Sequence, residues 1–198
     1  MFAVLFEVEP RAERWDDYLR HAALLRPELL TIDGFLDNRR FRSRQRPETL
    51  LSLSYWRDEK SLIRWRTHAL HHEVQTAGRN HVFRDYHLRV GEVVRDRGAP
   101  LPRTRLEETD NAAARAVTVI EAPELEALPG VPGLAAAELY DGVTDPASRL
   151  MLLSWRDSPS MDAWNAFGGQ RRTDTVIVRD YGLRDRGEAP QYFPAVLS

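Results

Sequence analysis

The chain has 198 residues, 42% hydrophobic and 29% charged, a balance typical of a folded protein with a substantial core. Its formal charge of −2 gives no overall positive field for nucleic acid, and the absence of cysteine excludes disulfides and thiolate chemistry. No apolar run approaches the roughly 18 residues of a membrane span. The apolar start, MFAVLFEVEP, has no basic leader and soon becomes charged, so we interpret it as a strand and expect a cytoplasmic protein.

The first half of the chain predicts a strand, a helix and two further strands. Residues 2–8 are apolar and β-prone, and residues 11–29 place aromatic and aliphatic side chains at helical spacing. Gly34 opens a second strand that continues to about Ser43. A polar turn then leads to the third strand, Leu50–Trp56.

A second helix and a last strand complete this half. Asp58 suits the N-cap of the helix, because its carboxylate can accept hydrogen bonds from free backbone N–H groups of the first turn. The helix is expected to end near Gly78, and residues 81–94 predict the final strand. One face of the helix is expected to carry Leu62, Trp65, Ala69 and His72. The resulting order, βαββαβ, is the ferredoxin-like arrangement.

The second half of the chain repeats the first. When Gly34 is placed over Gly133 and the comparison runs to Trp65 over Trp164, nine of 32 positions are identical. Chance would give roughly two, at about 6% identity from average residue usage. Both copies share the signature Trp-Arg-Asp, six residues, Trp at residues 56–65 and 155–164. We infer an internal duplication of one small α+β unit.

The predicted organisation is therefore two tandem ferredoxin-like units. Residues 1–96 form the first, the polar residues 97–115 are a linker, and residues 116–198 form a degenerate second unit. The first helix of the second unit is expected to be reduced to a turn, because too few residues separate its first two strands. We expect the first unit to carry any chemistry and the second to be mainly structural.

The third strand of the first unit indicates a pocket. Ser52, Ser54 and Trp56 share one face of this strand. The second unit places Met151, Leu153 and Trp155 at the equivalent positions. Small hydroxyl residues beside a tryptophan leave space that methionine and leucine would fill. The alternative is that both serines simply face water on a half-exposed sheet.

Histidines cluster in the second helix and after it. His68 and His72 are four residues apart, a spacing that can hold a metal, but no carboxylate completes an obvious ligand set. His72 shares the predicted face of Trp65 and is the candidate base near neutral pH. The alternatives are a hydrogen-bonded structural histidine and a tryptophan that belongs to the core.

Two further patterns bear on function. Arg39, Arg40, Arg42, Arg44 and Arg46 are interpreted as a solvated strand edge and turn, with the alternative that they guide an anionic ligand. The sequence contains no glycine-rich phosphate loop, dinucleotide fingerprint or nucleophile elbow. Redox chemistry would therefore take its electrons from the substrate or from a cofactor that has no sequence signature.

The first unit resembles the antibiotic biosynthesis monooxygenase domain of the dimeric α+β barrel superfamily. The resemblance is carried by Gly34-Phe35, the segment LSLSYWRDEKSLIRW at 51–65, His68, His71, Ala77-Gly78-Arg79 and Phe83-Arg84-Asp85-Tyr86. It implies that two units pair through their sheets into a barrel, within one chain as a pseudo-dimer or between chains as a homodimer. It also implies a pocket between sheet and helices. Some members of the family oxidise polycyclic phenols or anthrones to quinones with O2 alone, and others degrade haem.

The functional residues of the family carry over in part. The strand tryptophan of the quinone-forming relatives corresponds to Trp56, but their asparagine four residues earlier is Ser52 and their tyrosine six residues later is Leu62. The helix tryptophan of the haem degraders corresponds to Trp65. Their iron-binding histidine is replaced by Gln75, and their asparagine on the first strand falls near Glu7.

Our leading hypothesis is a cofactor-independent monooxygenase that acts on an aromatic or polyketide-like small molecule. Ser52, Ser54, Trp56 and Trp65 would line the pocket of the first unit, and His72 would act as the base. The alternatives are a haem-binding or haem-degrading protein, and a non-catalytic ligand-binding or assembly protein of the same fold. No nucleic-acid, membrane or metal partner is expected.

Overall fold

The computed structural model describes residues 1–110, 113–165 and 171–190. The first repeat contains the strands β1 (Phe2–Pro10), β2 (Phe35–Ser43), β3 (Leu50–Trp56) and β4 (Phe83–Asp96) and the helices α1 (Trp15–Thr31), α2 (Glu59–Arg66) and α3 (Ala69–Ala77). A two-residue strand, β5 (Ala99–Pro100), folds back on the end of β4. The second repeat contains β6 (Ala116–Glu121), β7 (Leu134–Gly142), β8 (Arg149–Trp155), the helix α4 (Ser158–Ala163) and β9 (Arg171–Gly182). No helix in the described residues is long and apolar enough to cross a membrane.

The two repeats close one barrel. Each repeat contributes four antiparallel strands, in the order β4-β1-β3-β2 and β9-β6-β8-β7. The sheets join where β2 pairs with β7 over three residue pairs, and where β4 pairs with β9 over nine. The predicted tandem ferredoxin-like fold is confirmed, and the pseudo-dimeric barrel forms within a single chain.

Side chains alternate between the barrel interior and the outer face that the helices cover. On β3, Leu51, Leu53 and Tyr55 pack inside the barrel with residues of both repeats. The intervening side chains, from Ser52 to Trp56, point to the opposite face, as strand periodicity predicts. The interior is thus a filled core, which is typical of eight-stranded barrels.

A buried ion-pair network interrupts this apolar core at Glu7. The Glu7 carboxylate accepts hydrogen bonds from Arg89 at 2.7 Å, from Arg46 at 2.8 Å and from the Tyr140 hydroxyl at 2.8 Å. Burial alone would raise the pKa of Glu7, but the charge of Arg89 and the hydrogen bonds of His87 and Tyr140 outweigh it and hold that pKa well below its usual range. The network links the strands of both repeats.

The helix after β3 begins as predicted and then differs. Asp58 accepts a hydrogen bond from the Ser61 backbone N–H at 2.8 Å, so the predicted N-cap is confirmed. The prediction of one continuous helix to Gly78 is wrong. The Thr67 hydroxyl bonds to the Ile63 carbonyl at 2.9 Å, and the next residue adopts extended backbone angles. Hydroxyl side chains that bond to nearby carbonyls compete with helix propagation. A new helix, α3, begins after this break, and it is followed by a π-helical turn, Gly78–Val82.

The helix-facing side of the second repeat is filled. The described residues 122–133, between β6 and β7, contain no helix, in line with the expected loss of this helix. Leu125 from this segment packs with Met161 and Trp164. These side chains cover Met151 and Leu153 on β8, as the comparison of the two copies predicted.

The basic run on β2 lies at the joint between the repeats. Three of its members bind carboxylates of the second repeat: Arg39 binds Glu121, Arg44 binds Asp141 and Arg46 binds Glu138. The interpretation of this run as a strand edge is wrong, because β2 pairs with β7 instead of ending the sheet. Arg44 is nevertheless exposed and lies in the turn after β2, as expected.

Candidate functional site

A cavity of about 760 Å³ lies between the helices of the first repeat and the outer face of its sheet. Helix α1 contributes wall residues from Tyr18 to Leu29, and α2 and α3 contribute others from Glu59 to Gln75. The structure places all five predicted site residues in its wall: Ser52, Ser54, Trp56, Trp65 and His72. Their chemical roles stay predictions.

The strand register shows how the floor of this cavity is built. Its centre is apolar, because Val4 and Phe6 on β1 lie beside Val90 and Leu88 on β4. Two polar borders flank this centre. We call the border formed by Asn38, Arg40, Ser52 and Ser54 on β2 and β3 the first margin, and the border formed by Tyr86, Arg179, Tyr181 and Arg186 the second margin.

Hydrogen bonds fix the side chains of the first margin. The Ser54 hydroxyl accepts from the indole N–H of Trp56 at 3.0 Å, and the Ser52 hydroxyl accepts from the amide of Asn38 at 2.9 Å. The Asn38 amide also donates to the Leu53 carbonyl at 3.2 Å. Both serines line the cavity beneath the helices, so their face of the sheet is not the open, water-facing surface of the alternative interpretation.

The break between α2 and α3 decides which histidine packs on Trp65. The His71 ring stacks on the indole with centroids 4.1 Å apart, and His71 Nδ1 donates to the Trp65 carbonyl at 2.9 Å. Because a carbonyl only accepts, Nδ1 carries the proton and Nε2 is the acceptor of the neutral ring. Burial lowers the pKa of His71 to about 4, so the ring is neutral at physiological pH.

His72 occupies a different position from the predicted one. It lines the cavity, but its side chain is exposed at the rim, and it does not share the buried face of Trp65. The predicted helical face is wrong beyond Trp65, because the chain leaves the helical path at His68 and restarts with a different phase.

The second margin is built largely by the second repeat. Arg186 Nη1 donates to the Tyr86 hydroxyl at 2.8 Å, and its guanidinium lies 5.3 Å from the ring centroid of Tyr181. Arg79, from the first repeat, is buried nearby, and burial together with the charge of Arg186 lowers its pKa. The last strand of the second repeat and the turn that follows it thus form part of the cavity wall, and the expectation that this repeat is mainly structural stays a prediction.

The cavity is electropositive although the whole chain is slightly acidic. Its wall contains six arginines: Arg26, Arg40, Arg66, Arg79, Arg179 and Arg186. It contains two glutamates, Glu59 and Glu73, and Glu59 is already bound to Arg105 at 2.9 Å. The excess of guanidinium groups favours a ligand with negative charge.

Neither a metal nor haem fits the residues present. Within the described ranges, no group of three or more histidine, aspartate or glutamate side chains could hold a metal ion. At the haem-degrader positions, Gln75 lines the cavity but offers an amide where an imidazole is needed. Glu7 faces the barrel interior and is bound to Arg89. We derive no step through haem.

The sequence did not single out Asn38. It indicated Arg40 only through the alternative that the basic run guides an anionic ligand, and it named His71 only as a carrier of the family resemblance. Strand alternation could have found the first two, because Phe41 on the same strand is apolar and packs inside the barrel. Side chains at even positions of β2 must then face the helices. No comparable signal existed for His71, whose position depends on the helix break.

The fold and the site together define a class. Two ferredoxin-like units that close one barrel, with a cavity beneath the helices, make this a protein of the dimeric α+β barrel type. Residues 1–77 match the sequence profile of antibiotic biosynthesis monooxygenases. The chain is 40% identical over 215 residues to the jasmonate monooxygenase ABM of Pyricularia oryzae, across 98% of this chain and 99% of that protein. It therefore belongs to the antibiotic biosynthesis monooxygenase family.

One solved structure supports this fold. An aldoxime dehydratase in complex with butyraldoxime matches with a TM-score of 0.55 at 10% identity, over 89% of this chain and 79% of its own, and similarity at this level of identity shows the fold alone. An anthrone oxidase-like protein matches with a TM-score of 0.39 at 12% identity, over 98% and 96% of the two chains, and we base no argument on this match.

Proposed function

We propose that the protein is a monooxygenase that uses O2 to oxidise a small cyclic organic substrate in the cavity of the first repeat. The observation that carries the proposal is the cavity itself, about 760 Å³ in volume, with an apolar centre and a few placed polar groups. This composition is typical of small-molecule sites. The full-length similarity to a jasmonate monooxygenase supports oxygenation and makes jasmonate the first candidate substrate.

A second candidate substrate class is the phenols and anthrones that the family resemblance implies. Removal of a proton from an anthrone gives an anion that reduces O2 directly, so that one oxygen atom enters as the quinone carbonyl and the other leaves as water. Insertion of oxygen into an unactivated C–H bond instead requires two electrons from an added reductant. We propose the cofactor-independent route for phenols and anthrones. Whether the reaction needs an added reductant distinguishes this route from oxygen insertion into an unactivated C–H bond.

The neutral His71 and the rim residue His72 would have different roles in this reaction. His71 Nε2 can accept a hydrogen bond from a substrate hydroxyl and orient it against Trp65. His72, at the solvent side, remains the candidate that exchanges a proton with water. Positioned acid–base groups typically contribute about 10²- to 10⁴-fold to the rate.

The experiment uses purified, chelator-treated protein under O2 labelled with a heavy oxygen isotope. Jasmonate, an anthrone and a dihydroxynaphthalene are supplied with and without NADPH or ascorbate, and products are analysed by mass spectrometry. We expect one labelled oxygen atom in the product of at least one substrate, and a fall in kcat of about 10²-fold in His71→Asn. If no substrate acquires label above the protein-free control, the proposed function is wrong.

A further inference from the structure

Arg40 is a cavity arginine whose side chain meets no carboxylate among the described residues. It lies on β2 directly opposite Ser52 and is half-buried in the cavity wall. Its Nε is fully buried and has no hydrogen-bond acceptor within the described part of the chain. Its guanidinium lies near the Tyr18 hydroxyl of α1, close enough for its charge to act on the pKa of that hydroxyl.

Its neighbours on the same strand are neutralised or exposed. Arg39 pairs with Glu121 at the joint between the repeats. Arg42 is exposed, and its guanidinium lies 4.4 Å from the ring centroid of Trp15, outside the cavity wall. Arg40 is thus the member of the basic run that brings a positive charge into the apolar cavity.

A half-buried guanidinium without a counter-charge is destabilising, because the partial desolvation of the ion is not offset. A ligand carboxylate would remove this cost, since its two oxygen atoms match the planar fork of a guanidinium. Tyr18 adds a second donor. Burial raises the pKa of its hydroxyl despite the opposing charge of Arg40, so the hydroxyl keeps its proton. It can donate that proton to the ligand that Arg40 holds.

We infer that the substrate of the proposed reaction is a carboxylate whose acid group is held by Arg40 and Tyr18. Its apolar body lies over the floor formed by Val4, Phe6, Leu88 and Val90. The inference rests on the proposed function, because it takes the ligand of this cavity to be the substrate.

The second margin is the competing place for an acid group. Arg186 is also cationic, but it already donates to the Tyr86 hydroxyl at 2.8 Å and to the Gly182 carbonyl at 3.3 Å, and it packs on Tyr181. Among the residues that the structure describes, the Nε atoms of Arg40 and Arg186 are both unpaired, but Arg186 already uses Nη1 for two hydrogen bonds. For this reason we assign the carboxylate to Arg40 in the first margin.

The test measures binding without turnover. Jasmonate and its methyl ester, and decanoate and methyl decanoate, are titrated anaerobically into the full chain and followed by tryptophan fluorescence. We expect the acids to bind about ten- to a hundredfold more tightly than the esters, the range for a charge-assisted hydrogen-bonded pair. Arg40→Gln should remove this preference and change ester affinity by less than about threefold. Tyr18→Phe should reduce the preference.

Arg42→Gln is the matched control, because it removes a charge from the same strand outside the cavity. It should keep the preference for the acid. Ester binding by Arg40→Gln shows that the cavity is intact in that variant. The inference is overturned if the wild type binds acid and ester equally or binds no acid. It is also overturned if Arg186→Gln, and not Arg40→Gln, loses the preference. Acid binding without any oxygenation would refute the proposed function, and with it the claim that the acid is a substrate, but would leave the assignment of the carboxylate to Arg40 and Tyr18.

Discussion

A single side chain, Ser52, marks the difference between the two copies. It lies in the cavity wall, whereas Met151 at the equivalent position of the second repeat is fully buried in a packed cluster. We predict that Ser52→Met will fill the first margin and weaken substrate binding by about tenfold or more, because small changes of volume in a binding pocket have effects of this size. Titration with the substrate or with decanoate measures this loss.

Ser52→Ala is the control for that variant. It removes the hydroxyl that accepts from Asn38 but adds no volume, so we expect binding to change by only about threefold. Thermal unfolding shows whether Ser52→Met remains folded. Unchanged affinity in a folded Ser52→Met would show that the ligand does not occupy the first margin.

The histidines show the limit of residue-level prediction. The residue spacing predicted that Trp65 and His72 line one cavity, and both do. It also predicted that His72 lies on the same helical face as Trp65. The structure places His71 there, because the chain breaks its helix at Thr67 and His68. A change of helical phase depends on local hydrogen bonds of the folded chain, and residue spacing does not report it.

At the scale of single elements, the β1 residue Glu7 stabilises the fold through its ion pair with Arg89. We predict that Glu7→Ala will lower the free energy of unfolding by about 3–5 kcal/mol, since it leaves Arg89, which is 3% exposed, as a buried cation without its partner. Unfolding in urea, followed by tryptophan fluorescence, measures the change.

Glu9→Ala is the matched control on the same strand. Glu9 binds the exposed Arg84 at 2.8 Å, and a pair of this kind typically contributes less than about 1 kcal/mol. Equal losses in the two variants would contradict the assigned role of the Glu7 network.

Elements with strong local signals were predictable. The bounds of β3, Leu50–Trp56, are those expected from its apolar alternation. Gly34 and Gly133, which anchored the comparison of the copies, have φ angles of 87° and 83°. A side chain at either position would also overlap a serine in the first turn of a helix, Ser61 of α2 or Ser160 of α4. By contrast, Glu121 and Glu138, the partners of Arg39 and Arg46, lie 82 and 92 positions away along the chain, and no local pattern reveals them.

At the scale of the whole molecule, His87 links the two repeats. Its Nε2 lies 2.6 Å from Asp180 Oδ1 across the joint between β4 and β9, and its Nδ1 lies 3.5 Å from Glu7. Burial and the charge of Arg89 would lower the pKa of His87. Hydrogen bonds to Asp180 and Glu7 outweigh them and raise that pKa above its ordinary value of 6.5.

This shift predicts a dependence of stability on pH. Because the folded state holds the proton more tightly than the unfolded chain, the stabilisation is complete below about pH 6.5 and is lost as pH rises through the raised pKa. We expect the Tm of the wild type to fall more between about pH 6 and about pH 8.5 than the Tm of His87→Gln. Parallel Tm profiles in the two proteins would contradict this role.

The two-unit architecture was predictable from the repeated signature, and the resemblance implied its closure into a barrel. The contribution of the second repeat to the first cavity was not predictable. Arg179 and Tyr181 reach that cavity because β9 pairs with β4, which places them opposite Val90 and Leu88, residues 89 and 93 positions earlier in the sequence. The sequence of each unit, taken by itself, does not predict the pairing of β4 with β9.

The covalent connection between the two halves has an evolutionary consequence. In a barrel made from two copies of one gene product, each substitution appears twice, so every change must suit both halves. A single chain that carries both halves is free of this constraint. Ser52 could remain small while its counterpart became Met151, and the last strand of the second half could acquire cavity residues that the first half has no need to copy. Fusion thus allowed one half to specialise in supporting the site of the other.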